Sequence, residues 1–80
     1  MLEVSEGRAA ILSLLSARGA GKTICPSEAA RLIGGERWRE AMPAVHAAVD
    51  ALVAEGAVRL SWKGGDLAAR DGPYRVRPAD

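Results

Sequence analysis

Gly21-Lys22-Thr23 is the first tripeptide in the chain with a chemical signature, because a phosphate-binding loop ends in Gly-Lys-Ser/Thr. The full loop also needs a glycine five positions before Gly21, and Ser16 stands there. It further needs a strand before it and a helix starting at the Lys, so that backbone N–H groups cradle phosphates. Here a helical pattern precedes and an extended one follows, so the tripeptide reads as a turn with an exposed Lys22. Cys25 and His46 are the sole thiol and the sole imidazole. A cysteine hydrolase would need them paired, with a third group orienting the imidazole. The expectation is instead a sulfur used as a small hydrophobe and a half-exposed, hydrogen-bonding His46. Two such ligands are too few for tetrahedral zinc. No catalytic residue, metal, cofactor or small-molecule substrate is expected, and the chain reads as a non-enzyme.

The remaining chemistry lies in cations. Nine Arg and two Lys face ten carboxylates, for a net charge of +1, so no global field drives the chain toward polyanions. The distribution is uneven. Residues 36–55 carry a net −2, residues 56–80 a net +2, and residues 1–35 a net +1. Arg59, Ser61 and Lys63 alternate with apolar residues, and so do Arg75 and Arg77. If the two segments pair antiparallel, four cations share one ribbon face, able to follow a phosphate backbone or enter a minor groove. The competing reading is a solvated face that discourages edge aggregation. Lys22, Arg37 and Arg39 are secondary candidates for the same contact. Arg39 could instead pair with Glu28 or Asp50.

The elements that position these groups follow from periodicity. A first helix runs from about Val4 to Arg18, with Ser5 as cap, Glu6 in its first turn and Gly19 at its end. Val4, Ile11 and Leu15 share one side. Lys22–Cys25 reads as a short extended piece, since Pro26 keeps Cys25 out of helical geometry. Ser27 is expected to cap a short helix bearing Ala29, Leu32 and Ile33 inward, with Glu28 in its first turn. Gly34-Gly35 is a turn. From Glu36 to Glu55 a third segment places Trp38, Met42, Val45, Val49, Leu52 and Val53 on one arc, with a kink or a break expected at Pro43. Val58, Leu60 and Trp62 then alternate inward on a strand. Gly64-Gly65-Asp66 opens a loop that Asp71-Gly72-Pro73 closes, and Tyr74 and Val76 alternate inward on a second strand.

Helix, short strand, helix, helix, hairpin is the plan of a winged helix-turn-helix, here as one α+β, mainly helical domain over residues 1–80. Gly21-Lys-Thr-Ile-Cys-Pro-Ser-Glu28, with Ala30, resembles the distinctive block of a family of short bacterial proteins. That family is known as a domain of unknown function and is regarded as winged-helix-like. Trp38-Arg39, Met42 and Gly72-Pro73 with Arg75 extend the resemblance over nearly the whole chain, while His46 stands where the pattern has arginine. The resemblance implies a fold and no activity.

In such a plan the third helix would enter DNA, yet its outward arc is Glu36, Glu40, Ala44, Ala47, Ala51 and Ala54, with Arg37 at the edge. Base reading needs Arg, Lys, Asn or Gln donors, so specific binding by this helix is not expected. Weak, largely sequence-independent nucleic-acid contact through the wing is the leading reading. The alternative is a protein-interaction or homodimerisation module on Ala44, Ala47, Ala51 and Ala54, which a second helix could approach closely. Composition gives the alternative a motive. Sixteen of the hydrophobic residues are Ala and none is Phe, and a core this thin supplies only about 3–5 kcal/mol. No apolar run approaches the length of a membrane span, the start carries no signal-peptide pattern, and a single Cys suits a reducing cytoplasm.

Overall fold

The computed structural model describes residues 3–19, 21–70 and 72–79. The expected turn residues Ala20 and Asp71 lie outside them. Helices α1 (Val4–Arg18), α2 (Pro26–Gly34) and α3 (Trp38–Ala54) precede strands β1 (Val58–Trp62), β2 (Gly65–Leu67) and β3 (Arg75–Pro78). A 3-10 turn, Gly35–Arg37, joins α2 to α3. The architecture is α+β, mainly helical, with a three-stranded antiparallel sheet of order β2-β1-β3. Ile24 extends that sheet by one residue. It exchanges two 2.9 Å backbone hydrogen bonds with Val76 on the free edge of β3.

The apolar periodicities meet in one core. Ile11 and Leu15 of α1, Val45, Val49 and Leu52 of α3, Val58 and Leu60 of β1, and Val76 of β3 are buried, together with Ile24. Small residues set the helix spacing: Ala29, Ala30, Ala41 and Ala48 are wholly buried. The closest approach is at Gly7. A Cβ there would meet the Ala44 carbonyl oxygen at 3.1 Å and the Ala48 Cβ at 3.3 Å, so α1 crosses α3 with backbone nearly against backbone.

Several sequence expectations are corrected. Ser5 does not cap α1; Glu3 does, with its backbone N–H donating to the Glu6 carboxylate at 3.0 Å. Ser27 does not cap α2; Cys25 does, with Pro26 as first helical residue and Glu28 accepting the Cys25 N–H at 2.7 Å. Both caps follow one rule: a carboxylate three residues into the helix reaches back to the cap N–H. Leu32 is 58% exposed, because Ala29, Ala30 and Ile33 already fill the contact with α3. Val4 and Leu12 are also exposed on α1. Helix α3 runs on through Pro43, and the break comes earlier, at the 3-10 turn.

The expected loop at Gly64-Gly65-Asp66 is instead a hairpin. Lys63 and Gly64 form its two-residue turn with φ of 52° and 83°, and β2 returns along β1. Two successive positive φ values suit the right-handed twist of paired strands. Trp62, expected inward, is 40% exposed. It lies one residue past the last β1–β3 pair, opposite Gly65, where no side chain covers it.

The Gly7 crossing is directly testable. Gly7→Ala gains about 1 kcal/mol of helix propensity, but must push two helices apart. Urea unfolding is expected to show no stabilisation for Gly7→Ala, and a loss of about 2–3 kcal/mol for Gly7→Leu. A Gly7→Leu variant as stable as the parent would contradict the contact.

Candidate functional site

The cations divide by what they touch. Arg8 pairs with Glu55 at 2.6 Å, Arg37 with Glu40 at 2.7 Å, Arg70 with Asp50 at 2.8 Å and Arg77 with Asp66 at 3.1 Å, while Arg18 pairs with Glu28. Among the described residues, no carboxylate lies within ion-pair distance of Lys22, Arg31, Arg39, Arg59, Lys63 or Arg75. Arg39 therefore takes neither of its expected partners, since Glu28 and Asp50 are held by Arg18 and Arg70.

Arg75 is occupied in another way. Its Nε donates to Thr23 Oγ1 at 2.7 Å and its Nη1 to Cys25 Sγ at 2.8 Å. The half-buried guanidinium thus bolts β3 to the segment that caps α2. Arg18 adds a bond to the Thr23 carbonyl at 3.0 Å and its ion pair to Glu28. Burial alone would raise the Glu28 pKa, but the Cys25 N–H, Arg18 and Arg75 together hold it below the usual carboxylate range. Thr23, Cys25, Glu28 and Arg75 form one network. Its evident work is to join helix to sheet.

The sheet register puts Arg59, Arg75 and Arg77 on one face, while Lys63 falls in the β1–β2 turn. Arg59 lies opposite Arg77, and Ser61 opposite Arg75. Like charges directly opposed across strands repel. Here the strain is relieved by reach: Arg77 on β3 extends across the middle strand to Asp66 on β2. Of the four ribbon cations, two are thereby engaged. Arg59 stays exposed on β1, and Lys63 stays exposed at the tip beside Trp62.

The alanine face is also divided. Ala47 and Ala54 are exposed, Ala51 is half-buried, and Ala44 is half-buried where α1 crosses at Gly7. Lys22 is exposed. Cys25 and His46 do not form a dyad, because each is bonded elsewhere. His46 Nδ1 lies 2.7 Å from the buried Tyr74 hydroxyl, tying α3 to the start of β3.

Trp38 is half-buried against the core, as an anchor between helices should be, but its ring also carries two guanidiniums. The Arg39 Cζ lies 4.4 Å from the ring centroid and the Arg31 Cζ 4.7 Å. Arg31 escaped sequence reasoning. It sits on α2 and Trp38 on α3, and no periodicity within one helix reports a contact between two.

The His46–Tyr74 bond predicts a pH response. Burial, reinforced by Arg70 and opposed by Asp50, lowers the His46 pKa below 6.5, and burial pushes Tyr74 up to about 12. The bond thus joins a neutral imidazole to a protonated phenol, and the His46 tautomer sets which of the two donates. Below pH 6.5 the unfolded chain takes up a proton that the folded chain refuses, so stability falls as pH drops from 6.5 toward the folded value. Carboxylate titration adds its own loss only at lower pH. Thermal melts at about pH 7.5 and 5.5 are expected to show the fall in the parent and a flatter response in His46→Gln. Equal slopes would show that His46 carries none of it.

Among the described residues, no helix is long and apolar enough to cross a membrane. No curated protein matches the chain. A family model described as a protein of unknown function, DUF3253, matches residues 5–79, nearly the whole length, and the chain belongs to that family.

Proposed function

We propose that the chain is a winged helix-turn-helix module that makes non-catalytic, charge-driven contact with nucleic acid through its wing. The element order supports the fold reading. Two helices meet at a tight corner, a β-ribbon follows, and the extended residue before α2 joins the ribbon edge.

One observation carries the functional reading: the tip of the β1–β2 hairpin presents Trp62 and Lys63 to solvent, with Arg59 exposed on the same ribbon and no described carboxylate neutralising either cation. An exposed indole beside free cations can stack on an unpaired base or wedge into a minor groove while the cations follow phosphates. Lys63 also occupies a left-handed conformation at φ 52°, which Asn or Gly would adopt more cheaply. A local cost retained at an exposed cation suits a contact residue better than a scaffold residue. Arg75 and Arg77 belong to the scaffold in this reading. The outward carboxylates Glu36 and Glu40 argue against base reading by α3. A protein-interaction role on the alanine face draws less support, since only Ala47 and Ala54 are fully exposed there.

Anisotropy titrations of labelled duplex and single strands across a salt series test the wing. Each neutralised phosphate contributes about −0.9 to the slope of log affinity against log salt on duplex DNA. Arg59→Ala with Lys63→Ala is expected to flatten the slope by about 2. Lys63→Asn is expected to weaken binding while raising stability by about 0.5–1 kcal/mol. Binding unchanged in these variants, or absent from the parent at low salt, would refute the wing reading.

A further inference from the structure

We infer that the corner between α2 and α3 is a second phosphate-binding site, in which Arg31 and Arg39, stacked on Trp38, clamp the sugar–phosphate backbone of the nucleic acid that the wing engages. The inference rests on the nucleic-acid reading and adds a contact on another part of the fold.

Three observations point to an anionic ligand. Both guanidiniums lie within 4.7 Å of one indole centroid, and both side chains are exposed. Neither has a carboxylate partner among the described residues. Two of the acids near in sequence are otherwise committed, Glu28 to Arg18 and Glu40 to Arg37, while Glu36 is exposed in the joining turn and pairs with neither arginine. A ring quadrupole attracts a cation but cancels no charge, so the corner keeps two positive charges close together.

The placement of the two residues differs. Arg31 occupies the last turn of α2, where the helix dipole welcomes a cation. Arg39 is the second residue of α3, where the dipole opposes one. Helix stability alone would not choose arginine there. Contact with the Trp38 ring also restrains both side chains, which lowers the entropy lost when each donates hydrogen bonds to phosphate. Each fork can then pair with the oxygens of a backbone phosphate. Trp38 is half-buried and so serves as the platform for the arginines; it is not itself a base-stacking surface.

The test uses the full chain and a labelled 20-base-pair duplex over a salt series. Arg31→Gln with Arg39→Gln is compared with Arg59→Ala with Lys63→Ala, and thermal melts check that each variant folds. The clamp predicts a salt slope flatter by about 2 and affinity at least tenfold lower at low salt for the corner variant. Arg31→Lys with Arg39→Lys, which keeps charge but loses the planar fork, is expected to recover only part of the affinity. If the wing variant loses affinity and a folded corner variant does not, the clamp is overturned and the wing reading stands. If the corner variant alone loses affinity, the clamp stands and the wing reading falls. A parent chain that ignores the duplex, or binds poly-glutamate as tightly through the same arginines, overturns the phosphate assignment.

Discussion

The fold turns on a junction of four residues. Lys22–Cys25 must at once end the turn after α1, add an edge to the sheet and start α2. Ile24 meets the second demand with two backbone bonds to Val76, and Cys25 meets the third as the cap of α2. Extended geometry at Ile24 turns Thr23 and Cys25 to the opposite face, and there Arg75 donates to both. Backbone and side-chain bonds thus cross the same seam from opposite sides of one strand. Elsewhere the helices and the ribbon are joined by the His46–Tyr74 bond, the Asp50–Arg70 pair and apolar contacts. The core itself includes several helix alanines, each burying little surface.

That junction explains why the cations divide as they do. A polar network with Arg18, Glu28 and Arg75 is costly to leave incomplete once half-buried, so its members are fixed by packing. The same holds for Arg77, which must reach Asp66 to offset Arg59 across the ribbon. A residue whose charge already has a structural partner gains little from an external anion, because binding must first break the internal pair. The cations left over are the ones that an outside polyanion can engage at no internal cost. They are Lys22 in the turn after α1, Arg59 and Lys63 on the ribbon, and Arg31 and Arg39 at the α2–α3 corner.

Much of this was legible in the residues, and the limits are physical. Helix extents and the inward residues of α3 follow from periodicity, because one face of a long helix must be buried. The ribbon register follows from alternation, which assigns a side chain to a face but not how far the core extends along it. Trp62 was misplaced for that reason. The caps at Glu3 and Cys25 were missed because Ser5 and Ser27 are better cap residues by type, while the actual caps depend on the reach of Glu6 and Glu28. The β2 strand was hidden because Gly64-Gly65-Asp66 has turn composition, and only the backbone angles of Lys63 and Gly64 make it a hairpin. Arg31 on Trp38 and Arg75 on Cys25 are contacts between elements, invisible to any pattern within one.

Net charge is therefore a poor guide to this molecule. Eleven cations and ten carboxylates nearly cancel, and much of that cancellation is made by contacts a few ångströms long. At physiological salt a charge is screened beyond about 8 Å. A partner approaching the surface thus meets local groups rather than the average, and the face of a paired Arg70 differs from that of an unpaired Arg59. What the overall balance does control is the approach. With a net +1 there is little long-range steering, so association must depend on short-range contact at sites where cations stand without carboxylates. In the proposed reading, each site alone would hold a phosphate weakly, and two sites acting on one strand would gain affinity through their linkage.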